Sequence, residues 1–164
     1  MSALPQPDAS SPVDRLAASP LTGEIEFLNA RAHALGSALA NGMLREVGLR
    51  VRSYSVLTLS CGGLRPTQRQ LAEFLRLDPS QIVSLVDELE SAGLVRRETE
   101  PADRRSKVIV ATRDGERIRA RAARLTARAE DVALAALSSA ERDQLRTLLA
   151  KVAIPTSAPA EPAD

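Results

Sequence analysis

The chain has 164 residues, of which 44% are hydrophobic and only 2% aromatic, and its formal net charge is +1. The length suits one domain, and an aliphatic, alanine-rich composition favours helices. A single cysteine excludes an internal disulfide, and the sequence shows neither a signal-peptide pattern nor an apolar run long enough to span a membrane. We therefore expect a cytoplasmic protein.

Two helices are predicted in the first third of the chain, after a tail. Residues 1–20 contain four prolines and few large apolar side chains, which predicts disorder. Thr22 is predicted as the N-cap of a long helix that ends at Gly48, because apolar residues recur every three or four positions. A second helix is predicted from about Val51 to Ser60.

Two short helices with well-marked starts follow. Thr67 and Gln70 match a capping box, in which each side chain bonds the backbone N–H of the other residue. Asp78 suits the N-cap of the next helix, and Pro79 suits its first position, where a missing N–H costs nothing. Gln81 lies three residues after Asp78, which predicts a second capping box.

The second of these helices is predicted to end near Ala92, at Gly93, and carries small polar side chains on one face. Ser80, Gln81 and Ser84 lie near its N-terminus, opposite an apolar stripe. Hydroxyl and amide groups placed there suit a helix that reads base edges in the major groove of DNA. The alternative is an ordinary amphipathic helix with a solvated face, and the pattern favours neither.

A β-hairpin is predicted next, because Leu94–Thr99 and Lys107–Ala111 are rich in β-branched residues. The predicted loop between them carries Arg104 and Arg105 at its tip. A basic hairpin tip is typical of a DNA-binding wing, whose arginine can enter the minor groove. Asp103 could hold Arg105 in place through a charge-assisted bond. The alternative is a solvated charged turn.

Several runs together resemble the MarR family of transcriptional regulators, and the similarity covers roughly residues 24–152. The runs are Leu89–Arg97, Pro101–Lys107, and Thr112 with Gly115. The resemblance implies a mostly α fold with a small β-hairpin wing, a winged helix-turn-helix flanked by long dimerisation helices. It also maps the Asp-x-Arg of the family's wing onto Asp103 and Arg105. One departure is Ala111, where the family usually has leucine.

The resemblance implies a sequence-specific, DNA-binding transcriptional regulator, most simply a ligand-responsive repressor that binds a palindromic operator as a homodimer. A dimer would read half-sites about 34–36 Å apart. We expect base contacts from Ser80, Gln81 and Ser84, a minor-groove contact from Arg105, and a phosphate contact from Arg104.

Ligands in this family commonly bind between the dimerisation helices and the reading unit. Tyr54 and His33 are therefore ligand-binding candidates, although a solvated histidine is the simpler interpretation of His33. Cys61 is predicted to be an inert, partly buried thiol, because its sequence neighbours do not lower its pKa. One histidine and one cysteine supply too few ligands for a zinc site, so neither a metal nor a cofactor is expected.

The C-terminal third is predicted to contain two more helices. Thr112 suits the N-cap of the first, Ser138 and Glu141 form a capping box for the second, and Pro155 ends it. The predicted organisation is a disordered tail, an N-terminal dimerisation helix with a linker helix, the winged helix-turn-helix, the C-terminal dimerisation helices, and a second disordered tail. These segments are residues 1–20, 21–62, 63–112, 113–154 and 155–164.

Charge weighs against DNA binding, because residues 63–112 contain 8 basic and 8 acidic residues. The alternative is a winged-helix protein–protein interaction module without DNA binding. An enzyme is not expected, since the sequence has no glycine-rich phosphate loop and only one histidine for acid–base chemistry.

Overall fold

The structure, a computed structural model, describes residues 16–100 and 103–154, and at residues 103–105 it describes the backbone alone. Its order is two helices, a helix-turn-helix, a two-stranded antiparallel hairpin, and two final helices. The predicted tails, residues 1–20 and 155–164, lie outside the described part of the chain, apart from residues 16–20.

The first long helix, α1, begins later than predicted. A 3-10 helix, Pro20–Gly23, precedes it, and α1 spans Ile25–Leu44. The prediction that Thr22 caps this helix is wrong, because its hydroxyl donates to the carbonyl of Ser19 at 2.8 Å inside the 3-10 turn. Glu24 occupies the N-cap position without a capping bond from its side chain.

The turn after α1 lies where it was predicted. The helix tightens into a 3-10 helix, Arg45–Val47, and Gly48 ends it with φ of +71°, a conformation that glycine adopts without strain. Helix α2 spans Val51–Leu59. The side-chain oxygen of Asn41 accepts from the N–H of Val51 at 2.9 Å, which fixes the start of α2 to α1.

Helix α3, Gln68–Leu75, confirms the predicted capping box. The N–H of Gln70 donates to Thr67 Oγ1 at 3.2 Å, and the N–H of Thr67 donates to Gln70 Oε1 at 2.8 Å. The chain then turns through Arg76, whose φ is +53°. A short, doubly capped helix followed by a tight turn fixes where the next helix starts.

Helix α4 spans Pro79–Ser91 and is the second helix of the helix-turn-helix. Asp78 is its N-cap, as predicted, but the predicted capping box with Gln81 is wrong. The Asp78 carboxylate accepts from the N–H of Ser80 at 2.8 Å and from its hydroxyl at 2.6 Å. The Asp78 carboxylate thus bonds Ser80, the second helical residue, and the Gln81 side chain remains exposed.

The hairpin consists of β1, Val95–Glu100, and β2, Asp103–Ala111. The predicted loop is too long, because β2 begins at Asp103 and the backbone of Arg104 and Arg105 belongs to the strand. The register of the strand pairing shifts near the hairpin tip, and this irregularity accommodates the longer β2. An alternating sequence pattern does not reveal such a shift.

The segment before α3 lies along the outer edge of β2. The N–H of Ile109 donates to the carbonyl of Pro66 at 2.8 Å, and the N–H of Ala111 donates to the carbonyl of Ser60 at 2.9 Å. Thr67 forms an isolated antiparallel bridge with Val108. These bonds attach the hairpin to the helix-turn-helix through the backbone.

Two helices complete the described chain: α5, Arg113–Ala133, and α6, Ser139–Ala153. The predicted caps are confirmed, since Thr112 Oγ1 accepts from the N–H of Gly115 at 3.0 Å and Ser138 forms its box with Glu141. Helix α6 ends before Pro155, which lies outside the described residues.

The core is aliphatic, and it joins the helix-turn-helix to the hairpin. Its largest fully buried side chains come from the end of α1, from α2, α3 and α4, and from both strands: Leu44, Leu57, Leu71, Ile82, Ile109, Val56, Val86 and Val95. Helix α1 also packs along α5. One core therefore fixes α4 relative to the hairpin.

Large apolar side chains remain uncovered on α1 and α6. Ile25 is 86% exposed and Val152 is 82% exposed. The set comprises Ile25, Leu28, Leu35, Leu39, Leu148, Leu149 and Val152. Contiguous apolar faces of this kind mark interaction surfaces. Among the described helices, none is both long and apolar enough to cross a membrane.

Candidate nucleic-acid interface

The predicted base-reading residues lie together on the exposed side of α4. Ser80, Gln81 and Ser84 are all exposed on its first two turns. Ile82 and Val86 on the opposite side are fully buried. The core therefore fixes which face of α4 points outward, and the polar N-terminal face is available for a partner.

Hydrogen bonds inside α4 already use both serine hydroxyl protons. Ser80 Oγ donates to the Asp78 carboxylate at 2.6 Å, and Ser84 Oγ donates to the carbonyl of Ser80 at 3.1 Å. The bonds from the Ser80 hydroxyl and then from its N–H lower the pKa of Asp78. In this arrangement the serine oxygens present lone pairs to a partner, so they suit donors such as adenine N6 or cytosine N4.

One arginine of the hairpin pairs with the acidic second half of α4. Arg97 on β1 donates to Asp87 Oδ1 at 2.5 Å and also bonds the Glu90 carboxylate. Its backbone N–H donates to Glu90 Oε1 at 2.9 Å. These charge-assisted bonds raise the pKa of Arg97 despite its partial burial. Arg97 therefore offsets part of the negative charge in the second half of α4.

Arg65 supplies a second link between the hairpin and the helix-turn-helix. Its guanidinium donates to Glu98 Oε2 at 2.7 Å, and its Nε lies 3.5 Å from Glu100 Oε2. Arg96 also donates to Glu98, at 2.6 Å. These two arginines, Arg65 first, lower the pKa of Glu98. Sequence reasoning missed Arg65, because its partners lie more than thirty residues away and no local pattern marks the pairing.

The structure places the backbone of the predicted wing residues but not their side chains. Asp103, Arg104 and Arg105 begin β2 at the hairpin tip, and the predicted bond between Asp103 and Arg105 lies outside the described atoms. Lys107 Nζ donates to Thr99 Oγ1 at 2.7 Å. That partner is neutral, so this bond does not cancel the charge of Lys107.

A cavity of about 760 Å³ separates α4 from α1 and the start of α2. Ser80, Gln81 and Ser84 line it on one side, and His33 lies on another. The rest of its lining includes Ser37, Asn41, Arg50, Arg52, Leu85 and Glu88. Ser37 Oγ lies 3.4 Å from His33 Nε2. The three predicted base-contacting residues thus lie both on the outer surface and on the lining of this cavity.

The structure does not bring the other predicted ligand residue, Tyr54, into this cavity. Tyr54 is partly buried and packs against the core. Arg50 and Arg52, which sequence reasoning did not select, do line the cavity. No sequence signal marked them, because only folding brings the start of α2 opposite the reading helix.

Cys61 is buried, with 7% of its surface exposed. Burial raises the pKa of its thiol, and a hydrogen bond from Arg119 only partly opposes this effect. The described residues contain no group of three or more histidine, cysteine and acidic side chains that could hold a metal ion.

The chain is similar to known regulators in sequence and in structure. A family model described as the MarR family matches residues 48–106. A MarR-family transcriptional regulator from Rhodococcus sp. RHA1 is 41% identical, covering 85% of this chain and 99% of that one, with a TM-score of 0.80.

Two CouR structures add a ligand and a DNA duplex. CouR from Rhodococcus jostii RHA1 bound to p-coumaroyl-CoA is 40% identical, covering 87% of this chain and 100% of that one, with a TM-score of 0.77. A transcriptional repressor CouR bound to a 23-mer DNA duplex is 30% identical, covering 81% and 94% of the two chains, with a TM-score of 0.74.

Proposed function

Because this chain belongs to the MarR family of transcriptional regulators and is a DNA-binding regulator, we propose that it is a dimeric repressor released by a small anionic effector. The effector site is the cavity between α1, α2 and α4. The operator is a palindrome, since a symmetric dimer presents two identical reading helices.

Each predicted site residue has a distinct proposed role. Ser80, Gln81 and Ser84 contact base edges from the exposed face of α4. Arg105 enters the minor groove from the hairpin tip, supported by Asp103, and Arg104 contacts a phosphate.

The observation that carries the regulatory proposal is that the reading residues also line the cavity. A ligand that fills this cavity contacts Ser80, Gln81 and Ser84, the same side chains that are proposed to contact base edges. Occupancy by the ligand and contact with DNA then compete for the same side chains. Such competition is reciprocal, so bound operator must weaken ligand binding by the same factor.

The cavity lining, with two arginines against one carboxylate, Glu88, supports an anionic effector. Arg50 and Arg52 bring two cations to it, and neither forms an ion pair among the described residues. Arginine side chains bind phosphates through paired N–H donors. Because CouR binds p-coumaroyl-CoA, we propose an aromatic acyl-CoA thioester, with its phosphates near the arginines and its acyl group toward His33.

The same proposal assigns the segments of the chain. Residues 21–62 and 113–154 supply the dimerisation helices and the linker, and residues 63–112 supply the winged helix-turn-helix. The exposed apolar faces of α1 and α6 support this division. The protein acts on DNA in the cytoplasm and catalyses no reaction.

The first experiment is selection of bound sequences from a random DNA pool with the full chain. Recovery of a palindrome supports the regulator, and recovery of no preferred sequence would favour the protein–protein interaction module instead. The recovered duplex is then titrated with p-coumaroyl-CoA, with free p-coumarate and free CoA as controls. Release by the thioester alone is expected, and release by none of the three would overturn the proposed effector class.

Two variants separate the wing from the reading helix. Arg105→Ala should weaken operator binding by about 1–3 kcal/mol per half-site and flatten the salt dependence by roughly one ionic contact in each. Ser84→Ala should leave the salt dependence unchanged and relax the preference at one base position per half-site. Unchanged binding by the arginine variant would remove the wing from the interface.

A matched arginine pair tests the cavity. Arg52 lines it, whereas Arg45 is exposed on the neighbouring 3-10 helix and does not. Arg52→Ala should leave operator affinity near that of the parent and raise the p-coumaroyl-CoA concentration needed for release by about tenfold. Arg45→Ala should change neither. Equal responses of the two variants would place the thioester elsewhere.

A further inference from the structure

A second cavity, of about 540 Å³, lies on the other flank of the reading helix, between α3 and α4. Its lining includes Gln68, Arg69, Arg76, Leu77, Pro79 and Val83. Neither Ser80, Gln81 nor Ser84 borders it. The exposed face of α4 is therefore flanked by two separate recesses with different linings.

The middle of α4 contributes one apolar side chain to the lining of this second recess, that of Val83. It is 43% exposed, although the neighbouring apolar residues Ile82 and Val86 are fully buried. In a helix, successive residues are about 100° apart, so Val83 lies beside the arc that carries Ser80 and Ser84. A side chain there projects from the same turn as the proposed base contacts.

The recess is lined by two arginines, Arg69 and Arg76, and by one carboxylate, Glu73, so its net charge is positive. Arg69 and Arg76 form no ion pair among the described side chains. The side-chain Nε2 of Gln68 is buried there without a hydrogen-bond partner. A buried amide donor without an acceptor is unfavourable, so its placement suits a partner that brings an oxygen acceptor.

We propose that Val83 reads the 5-methyl group of a thymine in each operator half-site, while Gln68, Arg69 and Arg76 receive the adjoining phosphates. This inference rests on the proposed function, because it requires α4 to lie in the major groove. There, thymine presents a methyl group that cytosine lacks, and an apolar side chain is what distinguishes it. Phosphate contacts along the rim set the position of α4 but carry no sequence information.

The recess fits one nucleotide better than a wholly apolar ligand. The lining combines the apolar side chains of Ala72, Leu77 and Val83 with the charged side chains of Arg69, Glu73 and Arg76. A thymidine nucleotide has the same division, with an apolar methyl group on the base and a charged phosphate outside it. Operator DNA is therefore the occupant that matches both parts.

The test uses the full chain and the palindrome recovered by selection. Each thymine is replaced in turn, in both half-sites, by deoxyuridine, which removes the methyl group and retains the hydrogen-bonding edge. One symmetric position should lose roughly fourfold in affinity per half-site, or about sixteenfold in the doubly changed duplex. The other thymines should show little change.

A double-mutant cycle assigns that methyl dependence to a side chain. Val83→Ala should bind the thymine and deoxyuridine duplexes equally, because its contact is already lost. Ser84→Ala, one residue later on the same helix, should keep the parent's full discrimination. If Val83→Ala fails to fold, Val83→Thr retains one methyl group, and its discrimination should be intermediate.

The outcomes distinguish failure of the Val83 contact from failure of the proposed function. Specific binding without methyl dependence, or methyl dependence as large as the parent's in a folded Val83 variant, overturns the role of Val83 and leaves the regulator intact. Absence of any preferred sequence overturns both. Displacement of operator by p-coumaroyl-CoA in the Val83→Ala variant, as in the parent, shows that the two recesses are independent.

Discussion

The guanidinium of Arg97 lies 2.5 Å from the carboxylate of Asp87, which joins β1 to the reading helix ten residues earlier. Glu90 shares the same arginine. The pairing joins the hairpin to the helix, and it also offsets part of the negative charge on α4. One residue thus serves geometry and electrostatics together.

Arg97→Ala should cost about 1 kcal/mol of unfolding free energy, because the pairs are partly exposed. It should also weaken operator binding, since the negative charges of Asp87 and Glu90 are then no longer offset near phosphates. Urea unfolding and operator titration measure the two effects. Arg96→Ala is the comparison for stability, because among the described side chains Arg96 pairs with Glu98 alone.

Neutralising the acidic partners provides the control. In the Arg97→Ala background, Asp87→Asn with Glu90→Gln should recover most of the lost operator affinity at low salt and little of the lost stability. If the operator affinity is not recovered, charge repulsion is not the cause of its loss. The cause is then an altered angle between the hairpin and α4.

Gly115→Ala should destabilise the fold by about 1–3 kcal/mol. A Cβ atom at Gly115 would lie 2.0 Å from the carbonyl oxygen of Leu94 and 2.9 Å from its carbon, and backbone atoms cannot yield as a side chain can. Gly42→Ala is the matched control, because nothing lies within 4 Å of its added Cβ and alanine favours a helix by about 0.5–1 kcal/mol. Thermal unfolding should rank Gly42→Ala above the parent and Gly115→Ala below it.

Leu148→Asp with Leu149→Asp should convert the dimer to monomers. These residues are 52% and 48% exposed on α6 and have no partner surface within the described chain large enough to cover them. Burying a carboxylate at a dimer interface is strongly unfavourable. Sedimentation velocity gives the mass directly. Leu64→Asp, at a leucine that is 69% exposed outside the long helices, should remain dimeric.

Cys61→Ser should bind operator like the parent, with or without peroxide. Burial raises the pKa of the Cys61 thiol, so less thiolate is present at neutral pH than on a free cysteine. Iodoacetamide should therefore label the folded protein more slowly than the urea-unfolded chain. Fast labelling of the folded protein, or oxidant-dependent release that the serine variant lacks, would give this thiol a regulatory role.

Local chemistry explains how much of the fold the sequence predicts. The caps at Thr67, Asp78, Thr112 and Ser138 lie where their side chains reach their own helix's backbone. Thr22 is also a residue type that caps helices, but Pro20 begins a 3-10 turn, and the Thr22 hydroxyl forms its hydrogen bond within that turn. Competition between two local structures is harder to predict than either alone.

Periodicity predicts the arrangement of the candidate site only where one helix carries it. Ser80, Gln81 and Ser84 share a face by periodicity, so their exposure follows from the buried stripe. The cavity that they share with His33 and Arg52 depends on how α1 and α2 pack against α4. The pairing of Arg97 with α4 and of Arg65 with β1 depends in the same way on distant contacts that no local pattern records.

The backbone contacts of the hairpin have a consequence for solubility. A two-stranded sheet has two outer edges, and an unpaired strand edge is a template for aggregation. On β2, Ile109 and Ala111 donate their outward N–H groups to Pro66 and Ser60, and on β1 the Arg97 N–H donates to Glu90. Both edges are therefore occupied near the base of the wing, so the protein can accumulate without strand-to-strand assembly there.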